Sequence, residues 1–220
     1  MHDGIEYWPA ERRARQLFIL LHGVGSQAAG LTSLAEMLRR AFPESGIFIP
    51  DGIAPFDEGM GRQWFSVRHV TEVARIERVA AAMPALSTLV RRAQQRFDVL
   101  QTDTALVGFS QGAIMALEYC IAHDGGVGRV LSFAGRFASL PERAPELTTL
   151  HLLHGEADMV IPAQHAYAAF ARLTELSGDA TLDVGDGVAH ELHPALVARA
   201  IHRLKTVIPL RSWKLAMQQL

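Results

Sequence analysis

The sequence predicts an α/β fold in which a mostly parallel central sheet carries helices on both faces. Three observations predict it. Short β-branched or apolar runs alternate with longer segments of helical period, Gly, Pro and Asp sit at the junctions, and several of the apolar runs are continuous rather than alternating. A continuous apolar run of strand length suits a strand buried on both faces, which is the environment of a parallel sheet covered by helices. The 220 residues are 49% hydrophobic, enough for one continuous core, and residues 1–220 are read as a single domain.

Taken in order, Leu17–Leu21 is the first buried strand and exits into the glycine-rich His22-Gly23-Val24-Gly25. A helix follows over Leu31–Arg40, and Ile47-Phe48-Ile49 is a second strand stopped by Pro50-Asp51-Gly52. The stretch from there to about Arg68 reads as irregular yet holds Phe56, Met60, Trp64 and Phe65. Large apolar side chains in a long loop must be buried somewhere, and such loops in compact domains are commonly functional. Thr71–Gln95 has helical period and is expected to form two helices, broken at Pro84. Thr104–Val107 is a strand leading through Gly108-Phe109-Ser110-Gln111-Gly112 into a helix over Ala113–Ala122. Val130–Ala134 and Leu150–Leu153 are further buried strands, and Pro162 is expected in the first turn of a helix reaching about Leu176. Thr181–Val184 is the last strand, Gly185-Asp186-Gly187 a turn, and Pro194–Val207 the closing helix.

Composition removes several classes of function. The 21 Lys and Arg against 23 Asp and Glu leave a net charge of −2 with no long block of either sign, which argues against a nucleic-acid binder. One cysteine, Cys120, can form neither an internal disulfide nor a thiolate zinc cluster, and it reads as a small buried apolar residue. No basic segment followed by an apolar one marks a signal peptide at the amino terminus, and no apolar stretch reaches the roughly 18 residues of a membrane span. A cytoplasmic protein is expected.

Chemistry concentrates in Gly108-Phe109-Ser110-Gln111-Gly112. A G-x-S-x-G between a strand and a helix is a nucleophile elbow, in which a sharp turn lifts the serine hydroxyl clear of the sheet and the flanking glycines avoid collisions of Cβ atoms. Serine is a weak nucleophile, so the elbow calls for a histidine base and a carboxylate, in the chain order Ser, Asp or Glu, His. Asp158, just beyond the strand Leu150–Leu153, is the first choice, with Glu156 and Asp183 as rivals. His190, after the turn following the last strand, is the candidate base, with His193 as its rival at the start of the closing helix. The oxyanion would be held by the backbone N–H groups of Gln111 and of Val24, after the first strand.

Other chemistries fit less of the chain. Gly23-x-Gly25-x-x-Ala28 followed by Asp51 matches the spacing of a dinucleotide fingerprint and would make an NAD(P)-dependent oxidoreductase, but it leaves Ser110, Asp158 and His190 unused. A noncatalytic binding protein would be expected to lack a member of this set. His190-x-x-His193 and His151-x-x-His154 are close pairs, but His151 inside an apolar strand reads as a core residue and His154 as a support for the loop of Asp158. No metal or cofactor is expected.

With Leu21-His22-Gly23-Val24-Gly25, Gly108-Phe109-Ser110-Gln111-Gly112, His154-Gly155-x-x-Asp158-x-x-Ile161-Pro162 and Gly187-x-x-His190-Glu191 in this order, the chain resembles the phospholipase/carboxylesterase family, which includes acyl-protein thioesterases. The resemblance runs from about residue 15 to 207 and is strongest to the bacterial esterase branch. It implies the α/β-hydrolase fold, Ser110, Asp158 and His190 as a triad, and backbone donors from Val24 and Gln111; no segment of the sequence reads as a large separate lid domain. It also matches Trp64-Phe65 to a tryptophan-containing loop beside the acyl pocket. Phe56, Met60, Trp64 and Phe65 are expected to supply an apolar wall for the substrate. Ser26 stands where the family often carries an acidic residue, and Ala189 where glycine is common; neither touches a triad role. The expected activity is hydrolysis of small to medium carboxylic esters or thioesters by a soluble enzyme, with a homodimer as a possible assembly.

Overall fold

The computed structural model describes residues 4–217. In chain order the strands are β1 (Gly4–Tyr7), β2 (Gln16–Leu21), β3 (Ser45–Pro50), β4 (Ala54–Pro55), β5 (Arg62–Gln63), β6 (Thr104–Phe109), β7 (Arg129–Phe133), β8 (Thr149–Gly155) and β9 (Ala180–Gly185). The helices are α1 (Thr32–Ala41), α2 (Glu72–Phe97), α3 (Gln111–Ala122), α4 (Gln164–Glu175), α5 (Pro194–Thr206) and α6 (Leu210–Met217). Seven strands form one sheet in the order β1-β3-β2-β6-β7-β8-β9. Only β1 runs antiparallel, against β3, and every other neighbouring pair is parallel.

The continuous apolar runs divide between the two faces as strand geometry requires, because successive side chains point to opposite sides. Leu17, Ile19 and Leu21 of β2 join Leu106 of β6 and Leu150 and Leu152 of β8 in the core under α2, α3 and α4. Phe18 and Leu20 join Val107 and Leu153 in the core under α1 and α5. The predicted order of parallel strands and helices therefore holds, and the carboxyl ends of β2, β6, β8 and β9 gather at one edge.

Several boundaries differ from the sequence reading. The expected pair of helices over Thr71–Gln95 is one helix, α2, with Pro84 inside it. Proline removes one backbone donor and costs roughly 3 kcal/mol. Buried Val79, Ala82 and Met83 before it and Leu86, Leu89 and Val90 after it carry the same core-facing stripe across the break, and that packing outweighs the loss. The strand β1 was not anticipated because its residues alternate between exposed and half-buried at the sheet edge. The two-residue strands β4 and β5 lie within the stretch expected to be irregular, and α6 lies beyond the expected closing helix with none of its side chains buried. Pro162 precedes α4 rather than sitting in it. The first three residues of the amino-terminal reading lie outside those described. No described helix is long and apolar enough to cross a membrane.

The core contains an ionisable group with a calculable cost. His151 of β8 is fully buried; Arg129 donates to its Nε2 at 3.0 Å and its Nδ1 donates to Thr181 Oγ1 at 2.9 Å, an arrangement that requires the neutral ring. Burial, reinforced by the Arg129 charge, pushes its pKa down to about 4. In the unfolded chain the ring titrates near 6.5, so it protonates first there as pH falls. Its contribution is complete above about pH 6.5 and drains away as pH drops towards 4, reaching about 3 kcal/mol. Urea unfolding at pH 7 and pH 4.5 should give lower stability at the acid value, with a smaller difference in His151→Gln; an undiminished difference in that variant would count against this assignment.

Candidate active site

The turn between β6 and α3 is made by Ser110, whose backbone has φ 54° and ψ −115°. Positive φ in a residue with a Cβ costs on the order of 1–3 kcal/mol and survives only where the surroundings enforce it. Here the Ser110 N–H donates to the Phe133 carbonyl of β7 at 3.0 Å, and the Ser110 carbonyl accepts from Ala113 and Ile114 N–H at 3.0 and 3.1 Å. The flanking glycines are sterically required. A Cβ on Gly108 would lie 2.4 Å from the Ala113 backbone, and one on Gly112 would lie 2.1 Å from the Leu21 carbonyl oxygen.

The loops leaving β8 and β9 are stitched to each other. Glu156 N–H donates to the Gly185 carbonyl at 2.8 Å and Ala157 N–H to the Val188 carbonyl at 2.9 Å. This holds Asp158 and His190 in register over the elbow. His190 Nδ1 lies 2.7 Å from Asp158 Oδ2, and His190 Nε2 lies 2.9 Å from Ser110 Oγ. Asp158 Oδ1 accepts from the Val160 and Ile161 N–H groups at 2.8 and 2.9 Å. Burial opposes its charge, but the hydrogen bonds from His190, Ile161 and Val160 outweigh that and hold the carboxyl below its usual range. An ionised Asp158 can only accept, so His190 carries its proton on Nδ1 and offers the Nε2 lone pair to the serine hydroxyl. The structure thus brings together the serine, the carboxylate and the imidazole expected from sequence.

The rival residues are engaged elsewhere. Asp183 is held by Arg203 at 2.8 Å and Arg199 at 3.3 Å, Glu156 is exposed, and His193 Nδ1 accepts from Ala195 N–H at the start of α5. His154 Nε2 donates to the Ile161 carbonyl at 2.7 Å and lies 3.3 Å from Asp158 Oδ2, so it braces the loop of Asp158. Burial holds the His154 ring neutral by lowering its pKa. Asp51 Oδ1 accepts from Ala28 N–H at 2.7 Å, which commits the carboxylate that the dinucleotide reading would assign to a ribose. Cys120 is buried, and burial raises its thiol pKa well above the usual value.

A network unseen in the sequence ties the elbow to the loops around it. Gln111 Oε1 accepts from Trp64 N–H at 2.8 Å while its Nε2 donates to the Phe65 carbonyl at 2.7 Å. Trp64 Nε1 donates to the His22 carbonyl at 2.8 Å, and His22 Nε2 accepts from Gly52 N–H at 2.9 Å. The small β4–β5 hairpin is fixed to the loop after β2, with Gly25 N–H donating to the Arg62 carbonyl at 2.9 Å and Arg62 N–H to the Ser26 carbonyl at 2.7 Å. Among the described residues the Val24 and Gln111 N–H groups have no protein acceptor. The expected substrate contacts separate. Phe65 is buried beside Gln111, and Trp64 is wholly buried because its indole N–H finds an acceptor inside. Met60, 93% exposed beyond β4, stands in solvent rather than beside them. Nothing in a lone glutamine after the serine signals that its side chain spans two backbone groups of a distant loop.

Replacing Gln111 by alanine strands the Trp64 N–H and the Phe65 carbonyl in the interior, at roughly 1–3 kcal/mol for each group. Urea denaturation of Gln111→Ala should show a loss of about 2 kcal/mol or more; wild-type stability would mean that the loop does not rely on this clamp.

The family model described as Phospholipase/Carboxylesterase matches residues 4–208. The chain is 40% identical over 208 residues to Esterase YpfH of Escherichia coli (strain K12), covering 94% of this chain and 90% of that protein. It is 26% identical over 211 residues to Acyl-protein thioesterase 1 of Eremothecium gossypii, covering 87% and 88%. The crystal structure of esterase PE8 superimposes with a TM-score of 0.86 at 26% identity, covering 94% of this chain and 99% of that one.

Proposed function

Because the chain belongs to the phospholipase/carboxylesterase family, with the α/β-hydrolase fold and serine hydrolase chemistry of that family, we propose that residues 1–220 are one catalytic domain that hydrolyses carboxylic esters or thioesters through Ser110, His190 and Asp158. The observation that carries this reading is the unbroken chain of hydrogen bonds from Ser110 Oγ to His190 at 2.9 Å and from His190 to Asp158 at 2.7 Å.

In the first half-reaction His190 Nε2 takes the hydroxyl proton as Ser110 Oγ attacks the acyl carbonyl, and Val24 and Gln111 N–H groups stabilise the tetrahedral oxyanion. Collapse expels the alcohol or thiol, which receives the proton from His190, and leaves an acyl-serine. Water then attacks with His190 again as base, and the carboxylic acid departs. Asp158 keeps the imidazole in the required tautomer and stabilises its charge. No step calls for a metal or cofactor. The half-buried Phe56 packs against Gly25, next to Val24 in the loop after β2, and this limited apolar surface supports small to medium acyl chains. Lack of a charge block supports small-molecule partners over nucleic acid, a single buried cysteine suits the cytoplasm, and the family resemblance carries a homodimer, which light scattering of the purified protein tests.

A fluorophosphonate should label wild type and leave Ser110→Ala unlabelled, with hydrolysis of p-nitrophenyl butyrate falling roughly 10⁴-fold or more in Ser110→Ala and by a similar order in Asp158→Asn. A folded wild type that neither labels nor turns over ester would sink the triad reading. Among p-nitrophenyl acetate, butyrate and palmitate, turnover should be lowest for palmitate; equal rates across the three would refute the chain-length assignment.

A further inference from the structure

A cavity of about 500 Å³ opens at the amino ends of β2, β6 and β7. It lies at the opposite end of the sheet from Ser110, since β6 runs from Thr104 in its wall to Phe109 before the serine, a path of roughly 20 Å at strand rise. The half-buried Phe42 and Leu204 supply apolar wall, and Arg129 and Arg211 supply the cationic part.

Both guanidiniums are bound only to neutral acceptors. Arg129 donates to His151 Nε2 at 3.0 Å and to the Val207 carbonyl at 2.7 Å. Arg211 donates to the Gly128 and Leu147 carbonyls, each at 3.0 Å. Elsewhere on the same protein arginines of this kind are matched, as Arg203 and Arg199 are by Asp183. No carboxylate around the cavity is in direct ion-pair contact with either guanidinium among the described residues, although the charge of Asp179 reaches both and that of Asp103 reaches Arg211. Glu44 pairs with Arg15 at 3.3 Å, Asp103 is exposed, and Asp179 accepts from Thr149 Oγ1 at 2.6 Å and from Leu210 N–H at 2.8 Å. Burial of both cations, with the repulsion of Arg211 on Arg129, still outweighs the attraction of Asp179 and disfavours their charge, a cost that a further counter-charge between them would relieve. The guanidinium fork is suited to the two oxygens of a carboxylate or phosphate, and the apolar wall leaves room for more than a bare ion.

We propose that this cavity binds a small oxyanion, a carboxylate or a phosphate, borne on a short apolar body, between Arg129 and Arg211. The site is separate from the triad and does not rest on the reaction assigned to it.

Amide resonances of the full-length ¹⁵N-labelled chain, titrated at constant ionic strength with hexanoate, acetate and inorganic phosphate in turn, test it. Saturable shifts are expected at Gln16, Leu17, Thr104 and Arg129, with hexanoate binding more tightly than acetate or phosphate. Arg211→Gln should weaken hexanoate about tenfold or more, and Leu204→Trp, which keeps both arginines and fills the cavity, should weaken it as well. Absence of saturable shifts at these amides with all three probes, shifts confined to Ser110–Gly112 and His190, tighter binding of phosphate than of hexanoate, or unchanged affinity in Leu204→Trp would each overturn the proposal.

Discussion

The backbone of Ser110 is the constraint on which the rest of the site depends. A residue with a Cβ is held at positive φ, and the turn exists only because β6, β7 and α3 are packed closely enough to enforce it. The Phe133 carbonyl holds the serine N–H, and the first turn of α3 is pressed so near to β2 that only glycine fits at position 112. That closeness directs the hydroxyl out of the sheet and leaves the amino end of α3 facing the same space. Strain on the order of 1–3 kcal/mol is thus carried by a parallel sheet whose central strands are buried on both faces.

Gln111 extends this constraint outwards. Its backbone sits at the first turn of α3, and its side chain joins Trp64 and Phe65, whose loop in turn reaches His22 through the indole of Trp64. The two loops that flank the serine are therefore fixed relative to each other by buried hydrogen bonds rather than by the regular sheet. On the other side, the β8 and β9 exits are bound together through Gly185 and Val188, so Asp158 and His190 are held in register with each other. Preorganisation of this kind supports the proposed attack by the serine hydroxyl.

Much of this was legible in the sequence, for reasons that differ by residue. Strands such as Leu17–Leu21 declare themselves because burial on both faces demands a continuous apolar run, and the elbow because glycine is needed where Cβ atoms would meet backbone. Asp158 and His190 could be found because each follows a strand at the carboxyl edge, where loops converge. The unbroken helix through Pro84 was not legible, since a local cost was overruled by a core stripe visible only once α2 is packed. Trp64 and Met60 look alike as apolar loop residues, yet one is sealed inside by its N–H and the other stands in solvent. The clamp by Gln111 and the facing pair Arg129 and Arg211 depend on contacts between distant segments, which neither composition nor periodicity encodes.

In the proposed reaction a strained Ser110 attacks an acyl carbonyl whose oxyanion is received by Val24 and Gln111. A crystal structure of the alkylphosphonate adduct tests it most directly. Phosphorus should be bonded to Ser110 Oγ, with the serine still at positive φ and the phosphoryl oxygen about 3 Å from both the Val24 and Gln111 N–H groups. An adduct on another side chain, or a phosphoryl oxygen turned away from both N–H groups, would contradict it.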